Sequence, residues 1–313
     1  MHSYFASDII RGLSSDKKHL PCRYLYDERG SALFSRITCL DEYYLTRCEI
    51  EIIRNYGHSI ADAIGTERCN VIELGAGDGI KTVLIIRSML EAGIRVSYVP
   101  VDISESAVKG ISNRIITQFP DVPVRGIVSD YFHGIEWLSR QDNNRNMVLF
   151  LGSNIGNFNP SESRKFLGAL AMALNKGDYV LIGFDMLKES GIITRAYNDS
   201  EGVTAEFILN ILVRINNEFN GTFDIDSFNH ESLWNRNKRS VETGLVSRKN
   251  QVIRVQDLDC SFSFHKGESI HIESSCKFTH GDISSLSIEN GFSIYASFTD
   301  SMDYFTGSLW VVT

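Results

Sequence analysis

The stretch with the clearest chemical potential is Val71-Ile72-Glu73-Leu74-Gly75-Ala76-Gly77-Asp78-Gly79. Glycines at alternate positions, after an apolar run and before a helix-forming one, let the backbone turn tightly and let a ligand approach the main chain. Alone, such a loop reads equally as a structural turn or a nicotinamide dinucleotide site. Two features favour S-adenosylmethionine (SAM). Ile80 stands where G-x-G-x-x-G requires its third glycine, and the loop carries Glu73 and Asp78. Carboxylates repel a pyrophosphate but attract the cationic aminoacyl end of SAM.

Two further sites follow the next strands. Asp102 ends Tyr98-Val99-Pro100-Val101-Asp102, where a carboxylate can accept both ribose hydroxyls at the carboxyl edge of a parallel sheet. In Ser129-Asp130-Tyr131, Asp130 is placed to accept from an adenine amino group and Tyr131 to stack on the ring.

These residues need a scaffold, and the pattern from about residue 68 to 187 supplies one. Short apolar runs at 70–74, 96–101, 124–128, 147–151 and 179–184 alternate with helical runs at 81–91, 104–118 and 160–174. That rhythm predicts a doubly wound α/β sheet. It breaks after Asp185, where 202–219 reads as one long helix with Val203, Phe207, Ile211 and Ile215 on one face. Short alternating strands follow, such as 251–255 and 261–264, and runs at 292–298 and 306–312 form a closing hairpin. A mostly parallel sheet finished by an antiparallel C-terminal hairpin predicts the Rossmann-like SAM methyltransferase fold with an inserted α+β substrate-binding domain. The cofactor domain is expected at 50–187 and 278–313, and the substrate domain at 1–49 and 188–277.

Composition narrows the partners. A net charge of -8 argues against a basic surface for nucleic acid. With 43% hydrophobic residues and no run near the ~20 apolar residues of a membrane span, the expectation is a cytoplasmic monomer acting on a small molecule. The six cysteines contain no C-x-x-C pair, so reduced thiols and no metal are expected.

Tyr24-Leu25-Tyr26-Asp27-Glu28-Arg29-Gly30-Ser31-Ala32-Leu33-Phe34 and Asp41-Glu42-Tyr43-Tyr44-Leu45-Thr46-Arg47 add a more specific signal. So do Gly152-Ser153-Asn154-Ile155-Gly156-Asn157-Phe158, Ala196-Tyr197-Asn198-Asp199, Gly202-Val203-Thr204-Ala205 and Glu273-Ser274-Ser275-Cys276-Lys277-Phe278. In this order they resemble the histidine-specific methyltransferase family, the hercynine-forming enzymes of the ergothioneine pathway. The resemblance spans nearly the whole chain. It implies that Gly75, Lys81, Asp102, Asp130 and Tyr131 contact SAM, with Gly152 close by; Glu73 and Gly77 belong to the same loop. It implies that Tyr26, Tyr43, Asn157, Tyr197, Glu273 and Ser275 bind the amino acid, the last two at its imidazole.

A carboxylate paired with a hydroxyl can satisfy both nitrogens of an imidazole, and an indole or phenyl ring would leave those buried groups unpaired. In-line methyl transfer needs a deprotonated amine, whereas an α-amino group of pKa about 8 is mostly protonated at neutral pH. Tyr26 is the preferred proton acceptor, with Tyr43 beside it as a second catalytic candidate. Tyrosine faces also suit a trimethylated ammonium. Thr243 stands where the family carries a larger apolar residue, Ile208 and Leu209 where it is more polar, and Asn154 where a smaller residue is common. Relatives acting on prenylated tryptophan make another amino acid the alternative substrate, and a SAM-binding protein that no longer turns over is the alternative of a different class.

Overall fold

A computed structural model describes residues 2–65, 67–138 and 144–313. The chain opens with helices α1 (His2–Leu13), α2 (Glu28–Ile37) and α3 (Tyr44–Ile64). An alternating series follows: β1 (Arg68–Leu74), α4 (Ile80–Glu91), β2 (Arg95–Asp102), α5 (Glu105–Gln118), β3 (Ile127–Val128), α6 (Tyr131–Leu138), β4 (Arg145–Phe150), α7 (Pro160–Ala173) and β5 (Tyr179–Asp185). Next come α8 (Ser190–Arg195), α9 (Val203–Phe219), β6 (Phe228–Asn235), β7 (Ser240–Ser247), β8 (Gln251–Val255), β9 (Cys260–Phe264) and β10 (Ser269–Cys276). The chain closes with α10 (His280–Glu289), β11 (Phe292–Thr299) and β12 (Phe305–Val312).

Two compact units result, Met1–Tyr43 with Glu189–Ser275 and Tyr44–Lys188 with Cys276–Thr313. The sequence placed the first boundary at 49/50. It falls instead at 43/44, because α3 is continuous and its first turns already bury Tyr44, Leu45, Cys48 and Glu49.

The second unit is an α/β layer structure. Its sheet runs β11-β12-β5-β4-β1-β2-β3, parallel from β5 to β3, with β12 antiparallel to both β5 and β11. Alternation splits the strands between two cores. Val71, Met147 and Leu149 face a cluster with Ile85, Ile86 and Ile111 of α4 and α5, while Ile72, Val148 and Phe150 face Phe166 and Leu170 of α7. Strand β3 is shorter than the 124–128 expected. Val124 makes only an isolated bridge to Tyr98, and Gly126 lies so close to α5 that a Cβ there would come 2.4 Å from Val108.

Registry at the amino ends of the strands is fixed by polar side chains. Ser97 Oγ donates to Asn70 Oδ1 (2.6 Å), Asn70 Nδ2 to Asn146 Oδ1 (3.1 Å) and Asn146 Nδ2 to Asp178 Oδ2 (2.9 Å). The backbone N–H of Asn146 donates to the same Asp178 at 2.9 Å.

The first unit carries a three-stranded sheet β10-β7-β6 and the hairpin β8-β9. Its two chain segments are joined at the edge of β10, where His271 N donates to Lys18 O and Leu20 N to His271 O (both 2.9 Å). Helix α9 adds the aromatic contact of Phe219 with Phe5, centroids 5.3 Å apart.

Candidate active site

The glycine loop leaves β1 and enters α4, with Gly75, Gly77 and Gly79 all in the left-handed region at φ +81°, +51° and +66°. Gly79 is the tightest, since a Cβ there would lie 1.7 Å from Ile111 Cδ1 of α5, and at Gly75 a Cβ would lie 3.0 Å from both Asn154 Nδ2 and the Tyr131 hydroxyl. At Gly77 nothing lies within 4 Å of such a Cβ, so there the main chain stays open to a ligand, while the Tyr131 hydroxyl lies against the loop at Gly75. The Tyr131 ring packs edge-on to Phe150 at 5.3 Å and Phe166 at 6.0 Å.

Glu73, read from the sequence as an attractor of a cationic ligand group, is turned beneath the loop. It is only 2% exposed. Thr82 donates to its Oε1 (2.5 Å) and the Tyr98 hydroxyl donates to its Oε2. Burial pushes its carboxyl up to about 7, against the pull of those two donors and of Lys81. Burial beside Glu73 also pushes the Tyr98 phenol well up, so Tyr98 remains a donor. The buried trio anchors the loop from below.

Asp102 closes the loop from the side. Its two oxygens accept from Gly77 N (3.2 Å) and Ser104 N (2.9 Å). Burial pushes its carboxyl up despite these backbone donors. Asp130 begins α6 and is half exposed; His133 donates to its Oδ1 from the backbone at 3.0 Å. Burial would raise its carboxyl, but the His133 interactions win and hold it below the ordinary range. The cradle of open glycine backbone, a strand-end carboxylate and a lysine in the first turn of α4 fits an adenosyl and aminoacyl ligand.

Beyond β4, Gly152 and Ser153 are both left-handed. Positive φ is unusual for serine; here Ser153 Oγ is held by the N–H of Asp185 at 3.0 Å. The short helical turn Asn154–Asn157 follows. Asn157 ends that turn, and Asn159 caps α7, reciprocated by Glu162. Asp185, fully buried, accepts from Lys277 (2.7 Å), Lys188 and the Tyr44 hydroxyl (2.7 Å). Burial would raise its carboxyl, yet Lys277 and Lys188 outweigh it and hold it low. The strand end that fixes Ser153 is therefore itself held by ionic contacts.

In the first unit, Tyr26 ends the turn Cys22–Leu25, and the next residue, Asp27, caps α2 through Gly30 N and accepts from Asn210 Nδ2 (2.7 Å each). Tyr26 packs edge-on to Phe34 (5.6 Å) and Phe207 (5.4 Å), and Phe34 in turn meets Tyr43 at 6.2 Å. Tyr26 and Tyr43 therefore flank one phenylalanine. The Tyr197 hydroxyl lies 2.7 Å from Ser275 Oγ on β10, and Glu273 is two residues earlier, half-buried. Burial on β10 alternates through Ile270 and Ile272 and then shifts phase to Ser275, so the strand is not uniformly alternating. Thr243, buried on β7, bonds its cross-strand partner Ser232 at 2.7 Å, and Ser232 Oγ lies 2.9 Å from His230 Nε2. Burial pushes His230 down to about 4, so it is neutral at physiological pH.

Sequence reasoning passed over Glu49, Thr82, Tyr98 and Asp185. Glu49 had a visible signal: a carboxylate on the same stripe of α3 as Leu45, Ile52 and Ile53 needs a buried partner.

No disulfide links the cysteines, no described helix is long and apolar enough to cross a membrane, and no group of three metal-ligating side chains occurs among the described residues.

A family model described as histidine-specific methyltransferase, SAM-dependent, matches residues 5–312. A histidine N-alpha-methyltransferase of Mycolicibacterium smegmatis is 36% identical over 271 residues, covering 87% of this chain and 83% of that protein. One from Mycobacterium tuberculosis is 35% identical, covering 88% and 85%. Ergothioneine biosynthesis protein 1 of Schizosaccharomyces pombe is 31% identical over 94% of this chain, which spans 39% of that larger protein.

Proposed function

Since the chain belongs to the family of histidine-specific, SAM-dependent methyltransferases, we propose that it methylates the α-nitrogen of free L-histidine, ending at the trimethyl betaine, hercynine. The observation that carries this reading is the 2.7 Å contact of the Tyr197 hydroxyl with Ser275 Oγ, which holds Ser275 on β10, where Glu273 two residues earlier supplies a carboxylate for the second nitrogen of an imidazole. The reading extends to a cytoplasmic monomer.

Gly75, Gly77, Lys81, Asp102, Asp130, Tyr131 and Gly152 would hold SAM, with Glu73 acting through the loop. When bound, SAM supplies an electrophilic methyl group on a cationic sulfur. The protein's own part is mainly positional, and alignment of this kind supplies several kcal/mol of barrier reduction. Glu273 and Ser275 orient the imidazole, while Tyr43, Asn157 and Tyr197 hold the amino acid's backbone groups. Tyr26, its ring held between Phe34 and Phe207, relays the ammonium proton: its hydroxyl proton passes to solvent, and the phenolate oxygen so formed takes the proton from the ammonium. The faces of Tyr26 and Tyr43 accommodate the growing methylated cation.

The test incubates the purified protein with SAM and each free amino acid in turn, followed by mass analysis. Histidine is expected to gain three methyl groups, and absence of any methylated histidine refutes the assignment. Glu273→Ala is expected to abolish the preference for histidine; a variant that kept full preference would remove that residue from substrate recognition.

A further inference from the structure

Glu49 is a buried acid on α3. It lies among Leu45, Cys48, Ile52 and Ile53 on the packed face of α3, at 2% exposure. A buried carboxylate is costly unless it is paired and hydrogen-bonded, and Glu49 is both. Its Oε2 is 2.6 Å from Lys81 Nζ, and the backbone N–H of Gly152 donates to Oε1 and Oε2 at 3.0 and 2.9 Å. The sheet makes room for it, since a Cβ on Gly183 of β5 would stand 2.3 Å from Glu49 Oε1.

Helix stability does not require this arrangement. Lys81 sits in the first turn of α4 with 19% of its side chain exposed, and solvent alone could satisfy it. What the acid achieves is convergence. One carboxylate ties the first turn after the glycine loop to the second residue after β4, fixing a flexible ammonium and a left-handed glycine at the carboxyl edge of the sheet. An ammonium has three donors, of which Glu49 takes one.

We propose that Glu49 is a positioning residue for the cofactor: it aims Lys81 at the carboxylate of SAM's aminoacyl end and fixes the Gly152 turn beside it. This rests on the reading that Lys81 meets that carboxylate. Positioning and net charge make opposite demands on the ligand series. If Glu49 acted only by attracting cations, its loss would weaken SAM more than S-adenosylhomocysteine, which lacks the sulfonium charge. As a positioning residue it serves the part the two molecules share, so both lose affinity by the same factor.

The experiment measures SAM and S-adenosylhomocysteine binding by calorimetry for the parent, Glu49→Gln, Lys81→Met and the double variant, with steady-state kinetics and melting temperatures. Glu49→Gln keeps the shape and an acceptor for Gly152 but replaces a charge-assisted bond with a neutral one. It is expected to weaken both ligands about tenfold, raising KM for SAM while KM for histidine stays within about twofold. The double variant is expected to bind no worse than Lys81→Met. Glu49→Asp, which keeps the charge but withdraws it by a methylene, is expected to show the same loss and serves if the glutamine variant does not fold. Parent-like binding by Lys81→Met would remove the cofactor reading of Lys81 and the proposal with it. Weak binding by Lys81→Met with parent-like binding and a lowered melting temperature in Glu49→Gln would leave that reading intact and reduce Glu49 to scaffold. A larger loss for SAM than for S-adenosylhomocysteine would overturn positioning in favour of charge.

Discussion

Replacing Glu73 by glutamine should change how the protein's stability depends on pH. Glu73 is fully buried, and its carboxyl is raised from 4.5 to about 7, chiefly by burial. Below pH 4.5 it is protonated in the folded and unfolded chain alike and imposes no penalty. As pH rises from there towards 7, the unfolded chain releases the proton and the folded one keeps it, so stability falls. Above 7 both forms are ionised and the loss levels off. Proton linkage turns these values into a cost of about 1 kcal/mol at pH 5.5 and about 3 kcal/mol at pH 8. Glutamine is neutral throughout and retains an oxygen to accept from Thr82 or Tyr98. The stability of Glu73→Gln relative to the parent should therefore improve by about 2 kcal/mol between pH 5.5 and 8, whatever its offset at the acid end. Urea unfolding at a series of pH values reads this directly, with the fully buried Trp310 reporting on the sheet by fluorescence. A gap that stayed constant across the series would show that the two hydroxyl donors, not burial, govern the carboxyl, and the loop would then rest on a permanent anion.

Gly75→Ala should lose cofactor affinity at least tenfold with little change in fold, because the new methyl group must adopt φ +81° and meet Asn154 and Tyr131 at 3.0 Å. Calorimetric titration with S-adenosylhomocysteine checks this, and undiminished binding would refute the close approach. Asp178→Ala leaves Asn146 with two unpaired buried donors and should destabilise the protein by about 2–4 kcal/mol, measured by denaturant unfolding, with kcat per folded molecule unchanged.

Much of the sheet was legible because buried parallel strands are apolar runs, as in Val71–Leu74 and Met147–Phe150, and because glycine punctuation marks where β1 gives way to α4. The positions of Tyr197 and Ser275 could be named from motifs, but not their 2.7 Å contact. What the residue order conceals is pairing across distance. Glu49 reaches a lysine 32 positions away and a backbone amide 103 positions away, and no local pattern specifies either. The direction of Glu73 was hidden for a related reason. An acid preceding a glycine loop is compatible with facing a ligand or facing the core, and only the hydroxyls of Thr82 and Tyr98 decide between them.

The polar chain running from the Ser97 hydroxyl through the amides of Asn70 and Asn146 to the Asp178 carboxylate lies at the opposite end of the strands from the glycine loop. This separates two kinds of vulnerability along the same few strands. A substitution at the amide end acts on how many molecules are folded and should appear in a cell as reduced abundance of enzyme with normal turnover. A substitution at the loop end acts on each folded molecule and should appear as normal abundance with defective turnover. The loop and its neighbours can then vary, and with them the ligand, while the lower edge keeps the strands in register.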